Sequence, residues 1–244
     1  MRIAVLSDIH SNLVALDAIL AHVGPVDAVW HLGDVVGYGP EPDGVVARLA
    51  SIGAVGVRGN HDAAAIGGPE IDWFNPEARV AIEWTRDRIG HDTQDWLTAQ
   101  PERREIGDFS LVHGSPRDPL REYVTSAAIA RESLAAIGTP HGLHGHTHVP
   151  VAFIATEGGG DGQLEIVGPG PGSAVSLGGR RTFLNPGSVG QPRDGDPTSS
   201  CLVLDTDDAV ATWSRAAYDI GAVQRAMHAA GLPRRLADRL AIGA

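Results

Sequence analysis

The chain has 244 residues, 43% of them apolar, and a formal net charge of −11. That length and apolar content allow a sizeable core, while the acidic balance and the lack of any Lys/Arg run exclude a duplex nucleic-acid binder working through a basic footprint. A single cysteine, Cys201, excludes an internal disulfide and thiolate metal clusters, and no apolar stretch approaches the ~18 residues of a membrane span.

The start, MRIAVLSD, reads directly as a strand, without a charged leader, a long apolar region or a small-residue cleavage site. The expected compartment is therefore the cytoplasm. Residues 2–7 form a short apolar run that closes on Asp8. Asn12 is a candidate helix N-cap, followed by an apolar helical face of Leu13, Leu16, Ala18, Ile19 and Leu20. Residues 27–32 read as a second strand ended by Gly33-Asp34, residues 44–51 as a helix, and residues 54–58 as a third strand ended by Gly59-Asn60. This alternation predicts right-handed βαβ units and a parallel sheet. Ligands of such sheets bind at the carboxyl ends of the strands. Those ends carry Asp8 and His10, then Asp34, then Asn60 and His61.

Further on, residues 76–89 read as a helix with Pro76 in its first turn. Strands are expected at 104–105 and 109–112 around the turn pair Gly107-Asp108, leading into His113-Gly114. A helix at 126–137 and a strand-like run at 142–143 precede Gly145-His146-Thr147-His148. From Val149 the pattern is all-β, with strands expected at 151–155, 164–167, 181–184, 201–204 and 209–214. The glycine-rich segments 158–162 and 168–179 read as hairpin loops; they lack the helix start and lysine of a phosphate-cradling P-loop. The tail from Ile220 reads as two short helices split at Gly231-Leu232-Pro233, and Cys201 as a small core residue.

Five polar motifs thus follow strand-like runs: Asp8-Ile9-His10, Gly33-Asp34, Gly59-Asn60-His61-Asp62, His113-Gly114 and Gly145-His146-Thr147-His148. They supply two Asp, one Asn and four His as candidate ligands, with His61 beside them. A mixed oxygen and imidazole set suits Mn, Fe, Zn or Co better than Ca or Mg. Seven side chains exceed one tetrahedral zinc and suit two ions sharing a carboxylate. Among the other histidines, His22, His91 and His228 read as surface residues, and His31 as packed behind Gly33-Asp34. His141 and His144 read as flanking residues with at most a supporting role.

These motifs resemble, in order and spacing, those of the calcineurin-like metallophosphoesterase superfamily: D-x-H, G-D, G-N-H-D, H and G-H-x-H. Gly37-Tyr38-Gly39-Pro40, residues 75–79 (NPEAR), residues 185–193 (NPGSVGQPR) and Gly231-Leu232-Pro233 resemble a group of small bacterial and archaeal phosphodiesterase-like members. The resemblance implies a four-layer α/β/β/α sandwich, the metallo-dependent phosphatase fold, in one domain over 1–244. It implies a first metal on Asp8, His10, Asp34 and His148 and a second on Asp34, Asn60, His113 and His146, with Asp34 bridging. It makes His61 the catalytic acid and Asp62 the residue that hydrogen-bonds and orients it.

The implied chemistry is hydrolysis of small phosphodiester or nucleotide phosphate substrates by a hydroxide bridging two divalent ions, drawn from Mn, Fe, Zn, Co or Ni. Phosphomonoester or dinucleoside polyphosphate hydrolysis is the alternative, and a non-catalytic metal-binding scaffold the alternative of another class. Arg58, Arg117, Arg121 and Arg193 are candidate phosphate contacts, and Tyr38, Trp73, Phe74 and Tyr123 candidate stacking residues. The expected partner is a small phosphate ester or nucleotide, with no duplex nucleic acid and no membrane.

Overall fold

The computed structural model describes residues 1–156 and 163–244. In chain order it contains β1 (Arg2–Leu6), α1 (Leu13–Val23), β2 (Ala28–His31), α2 (Pro42–Ser51), β3 (Val55–Gly56), α3 (Asn60–Ala65), a 3-10 turn (Pro69–Trp73), α4 (Pro76–Arg86) and α5 (His91–Thr98). There follow β4 (Arg103–Ile106), β5 (Phe109–Val112), α6 (Ala127–Ala135), β6 (His141–Leu143), β7 (Val151–Ala155), β8 (Leu164–Val167), β9 (Ala174–Ser176), β10 (Thr182–Asn185), β11 (Ser199–Asp205) and β12 (Val210–Ala216). Helices α7 (Ile220–Ala229) and α8 (Arg234–Asp238) and a final 3-10 turn (Arg239–Ala241) complete the chain.

The strands form two six-stranded sheets, ordered β3-β2-β1-β11-β12-β9 and β4-β5-β6-β10-β7-β8. The expected parallel unit is present, since β2 pairs in parallel with both β1 and β3. Each sheet is nevertheless mixed: β11 runs antiparallel to β1, and β7 antiparallel to β10.

Strand β1 shows why the layers stack as they do. Successive side chains of a strand point to opposite faces. Ile3 and Val5 enter the core between the sheets with Leu111, Leu143, Leu184, Leu202 and Trp213. Ala4 and Leu6 enter the outer core with Leu16 and Ile19 of α1 and Val45 and Leu49 of α2. On the far side, Leu134 of α6 packs on Phe153 and Phe183. Helices α7 and α8 and the final 3-10 turn cover α4 and Tyr38 through Val223, Met227, Leu236 and Leu240. The result is two mixed sheets flanked by helices, the four-layer arrangement expected.

Caps fix the helix starts. Asn12, Asn75, Ser126 and Asp219 each accept a backbone N–H of the first turn. Two features depart from expectation. Residues 174–176, expected as loop, form the edge strand β9, which pairs with β12 and buries only Val175. Helices α3 and α5 were not anticipated; α5 buries only Thr93 and Leu97, too few positions for a periodic signal. Segment 158–162 lies outside the described residues. Cys201 is a buried core residue as expected, its thiol pushed up to about 12 by burial. No helix among the described residues is long and apolar enough to cross a membrane.

Candidate metal centre

The five motifs meet where both sheets end. Asp8 and His10 follow β1, Asp34 follows β2, Asn60 opens α3 after β3, His113 follows β5, and His146 and His148 follow β6. Their loops are tied to one another: Asp8 N–H donates to Gly33 O at 3.1 Å, His10 N–H to Asp34 O at 3.0 Å, and Gly145 N–H to His113 O at 2.8 Å. Such tight turns force unusual backbone. Of eight non-glycine residues with left-handed φ among the described residues, five are Asp8, His10, Asp34, His146 and His148. Strain of this kind persists only where surrounding structure enforces it, and it concentrates at functional sites. A Cβ on Gly59 would overlap the Asp34 carboxylate; glycine is what lets the α3 turn approach so closely.

Two groups of buried ligand atoms result. Asp8, His10, Asp34 and His148 offer atoms within 4.8 Å of one another, and so do Asp34, His113 and His146. Asp34 belongs to both. Its Oδ2 lies 3.7 Å from His10 Nε2 and 3.4 Å from His113 Nε2. Asn60 joins the second group, its Oδ1 lying 3.1 Å from His113 Nε2. All seven candidate ligands are therefore brought together.

Backbone carbonyls set the tautomers. Nδ1 of His10 donates to Val36 O at 3.3 Å, Nδ1 of His113 to Leu32 O at 2.8 Å, and Nδ1 of His148 to Gln191 O at 2.6 Å. In a neutral ring each Nε2 lone pair then faces the cluster. His10 Nε2 and His148 Nε2 are only 3.1 Å apart, and His113 Nε2 and His146 Nδ1 only 3.0 Å. For His10 and His148, lone pairs facing each other at that distance beside carboxylates fit a cation lying between them.

The charge states agree. Burial pushes His10 well below the ordinary histidine range, lowers His148, and takes His146 down to about 3, so these rings are neutral. Burial opposes ionisation of Asp34 and Asp8, but the imidazoles around them, His113 for Asp34 and His148 for Asp8, hold both carboxyls below the usual range. Burial also opposes a charge on His113, yet Asp34 outweighs it and raises that ring to about 9. The protonated His113 occupies the electrostatic place of a cation beside Asp34, and a metal would displace that proton.

His61 stands beside this cluster. Its ring stacks on Phe74 at 4.4 Å and lies 4.8 Å from His10 and 4.3 Å from Tyr38, centroid to centroid. Burial lowers it to about 4. The expectation that Asp62 hydrogen-bonds His61 is corrected by the structure. Asp62 Oδ2 accepts Gly59 N–H at 3.0 Å and Oδ1 accepts Val36 N–H at 3.0 Å. Consecutive helical residues do not face each other, and the N3 position of a helix suits a carboxylate that reaches back to the N-cap N–H. Asp62 thus braces the Gly59 turn and the Val36 loop, while His61 Nδ1 is buried without a hydrogen-bond partner.

Several supporting residues escaped sequence reasoning. Ser7 Oγ donates to Asp8 Oδ2 at 2.7 Å, and Ser188 Oγ to Asp8 O at 2.8 Å. Asn185 Nδ2 donates to Gly145 O at 2.8 Å. The 185–193 block, which carries part of the resemblance to small phosphodiesterase-like members, also holds the ligand loops. Of the candidate phosphate contacts, Arg193 reaches the site, its guanidinium 5.9 Å from the Tyr38 ring centroid. Arg117 is tied to Glu122 and Glu132, Arg58 pairs with Glu102 at 3.5 Å, and Arg121 lies over Trp73 at 4.7 Å. Tyr123 stacks on His146 at 3.8 Å. His31 is packed on Trp96 at 5.2 Å and His144 on Phe183 at 4.5 Å, while His141 bonds Thr182 at 2.9 Å. His22, His91 and His228 are exposed as expected.

Comparison with known proteins agrees with this geometry. An uncharacterized protein of Methanocaldococcus jannaschii is 32% identical over 248 residues, spanning 99% of this chain and 98% of that protein. The crystal structure of a metallophosphoesterase from Sphaerobacter thermophilus is 41% identical and superposes with a TM-score of 0.91 over the whole of both chains. A hypothetical protein from Pyrococcus horikoshii OT3, at 18% identity, shares the fold with a TM-score of 0.78 over 100% of this chain and 98% of that one. Residues 1–209 match the family model described as the calcineurin-like phosphoesterase superfamily domain. The chain belongs to the calcineurin-like phosphoesterase superfamily and is a metallophosphoesterase, a phosphoric ester hydrolase.

Proposed function

We propose that residues 1–244 act as one domain that hydrolyses a small phosphodiester or nucleotide phosphate in the cytoplasm, using two divalent ions that share Asp34. The observation that carries this reading is the pair of buried donor groups with Asp34 common to both. Asp8, His10, Asp34 and His148 would hold one ion; Asp34, Asn60, His113 and His146 would hold the other. Mn, Fe, Zn, Co and Ni all suit these oxygen and imidazole donors. Bound there, two such ions would supply positive charge to the phosphoryl oxygens and acidify the attacking water.

The chain's own residues divide the remaining work. Carbonyls of Leu32, Val36 and Gln191 keep the ligand imidazoles oriented. Arg193 adds positive charge beside the cluster for the phosphoryl oxygens. His61, in its protonated form, gives a ring proton to the departing oxygen, and Asp62 keeps the Gly59 turn in place so that His61 stays aimed. Incubating manganese-loaded protein with bis-p-nitrophenyl phosphate, p-nitrophenyl phosphate and a nucleotide panel tests this function. Two metal equivalents with a higher kcat/KM on diesters or nucleotides is the expected result. A strong preference for p-nitrophenyl phosphate or for phosphoproteins overturns the substrate class.

A further inference from the structure

A cleft of about 990 Å³ opens beside the cluster. Its inner wall is Tyr38, whose ring lies 4.6 Å from His10 and 4.3 Å from His61. Tyr123, stacked on His146, faces it. The outer wall comes from the far end of the chain, where Arg235 and Arg239 line the same space as Arg193.

The three arginines are not equivalent. Arg235 is exposed and lies 3.8 Å from Glu77, a cleft-lining carboxylate. Arg193 and Arg239 are partly buried, and among the described residues Arg193 takes part in no ion pair. Arg193 Nη2 donates to Gln191 Oε1 at 2.9 Å, while its Nε is buried without a partner. Arg239 Nε donates to the main-chain oxygen of Ala244. Asp238 also lines the cleft but is exposed.

Burial, followed by repulsion from Arg193, lowers Arg239 against a weaker pull from Tyr38 and Glu77, so the two guanidiniums share one electrostatic space. Arg193 acts on His61 and His148, whereas Arg239 acts on Arg193 and Tyr38. Arg193 is therefore the inner cation and Arg239 the outer one. Arg193 has no ion-pair partner among the described residues and keeps a buried, unpartnered Nε beside this space, and the planar fork of arginine matches a phosphate.

We propose that Arg193 and Arg239 form a subsite for a second phosphoryl group, so that the substrate carries a phosphoryl group next to the one held at the Asp34 cluster. The class is a nucleoside diphosphate or longer polyphosphate ester. Tyr123 at the mouth offers a face on which a base can stack. This rests on the reading above that the first phosphoryl group binds at the Asp34 cluster.

The test uses manganese-loaded full-length protein and two probes, AMP and α,β-methylene-ADP, whose binding is measured by calorimetry. The wild type is expected to bind α,β-methylene-ADP at least about tenfold more tightly than AMP, as one charge-assisted contact implies. Arg239→Gln is expected to bring that affinity ratio near 1. Arg239→Lys, which keeps the charge and the wall-filling stem, should hold a ratio above that of the Gln variant. Arg48→Gln, at an arginine paired with Asp17 outside the cleft, should keep the wild-type ratio. Equal affinities of the wild type for both probes, or an unchanged ratio in Arg239→Gln, overturns the subsite. Failure of the metal-loaded wild type to hydrolyse any phosphate ester overturns the proposed function instead, and the binding ratio still reads the subsite.

Discussion

The backbone N–H of His61 donates to Asp34 Oδ1 at 2.8 Å. One carboxylate is thereby held by the residue proposed as acid while its other oxygen, Oδ2, faces both histidine groups. The proposed metal bridge and the proposed proton donor are parts of one hydrogen-bonded unit, and four predictions follow the parts of that unit and its surroundings.

Asp34 is common to both donor groups. Asp34→Asn keeps the shape and an oxygen but removes the shared charge, and metal sites depend on deprotonated ligands. The expected outcome is loss of at least one metal equivalent and of nearly all turnover, read by elemental analysis and by hydrolysis of bis-p-nitrophenyl phosphate. Two full equivalents with normal turnover would rule out the bridge.

His61 is buried beside the ligands and belongs to neither donor group. His61→Ala is expected to keep both metals. General-acid contributions are typically ~10²–10⁴-fold and matter most for poor leaving groups. The loss in kcat/KM should therefore be larger for a ribose ester than for a p-nitrophenyl ester of matched charge. Loss of metal would make His61 a ligand. Equal losses on both esters would assign it to positioning.

Asp62 serves the backbone, so its variant should behave differently. In Asp62→Asn one of the two N–H groups of Gly59 and Val36 faces an amide donor in place of an acceptor. Leaving a buried donor unsatisfied costs about 1–3 kcal/mol, which in a chain of this size lowers Tm by about 2–4 °C per kcal/mol. Metal affinity should fall by about 10- to 100-fold, as for other groups that orient ligands. A leaving-group dependence like that of His61→Ala, with unchanged Tm, would restore the direct pairing that the sequence suggested.

His31 gives the protein an acid-sensitive core. Burial first, and Arg104 second, push its ring down to about 3. The unfolded chain takes up this proton below about 6.5 and the folded chain only near 3. His31 therefore lowers stability as pH falls from about 6.5 towards 3. At pH 5 the effect is about 2 kcal/mol. Chemical denaturation of the wild type and of His31→Phe across this window should show curves that diverge as pH drops, the wild type losing more. Parallel curves would show that the ring titrates normally in the folded state.

The sequence by itself determined the chemistry and the local frame. Strand-ending polar motifs flanked by glycine encode ligands on tight turns, and the alternation of β1, α1, β2, α2 and β3 encodes the parallel unit that carries Asp8, Asp34 and Asn60. These are short-range properties, written in periodicity and turn chemistry. Tertiary structure decided the rest, because partner choice and convergence depend on how the layers stack. His61 and Asp62 are neighbours in the chain, yet α3 turns them to different faces, and Asp62 finds Gly59 and Val36. Short edge strand β9 left no pattern to read, since only Val175 is buried. Arg239 reaches the cleft of Tyr38 because α7 and α8 pack back over α4, and there it meets Arg193, which the 185–193 loop carries. No local signal records that return, since the apolar face that drives it says that a helix will dock and not where.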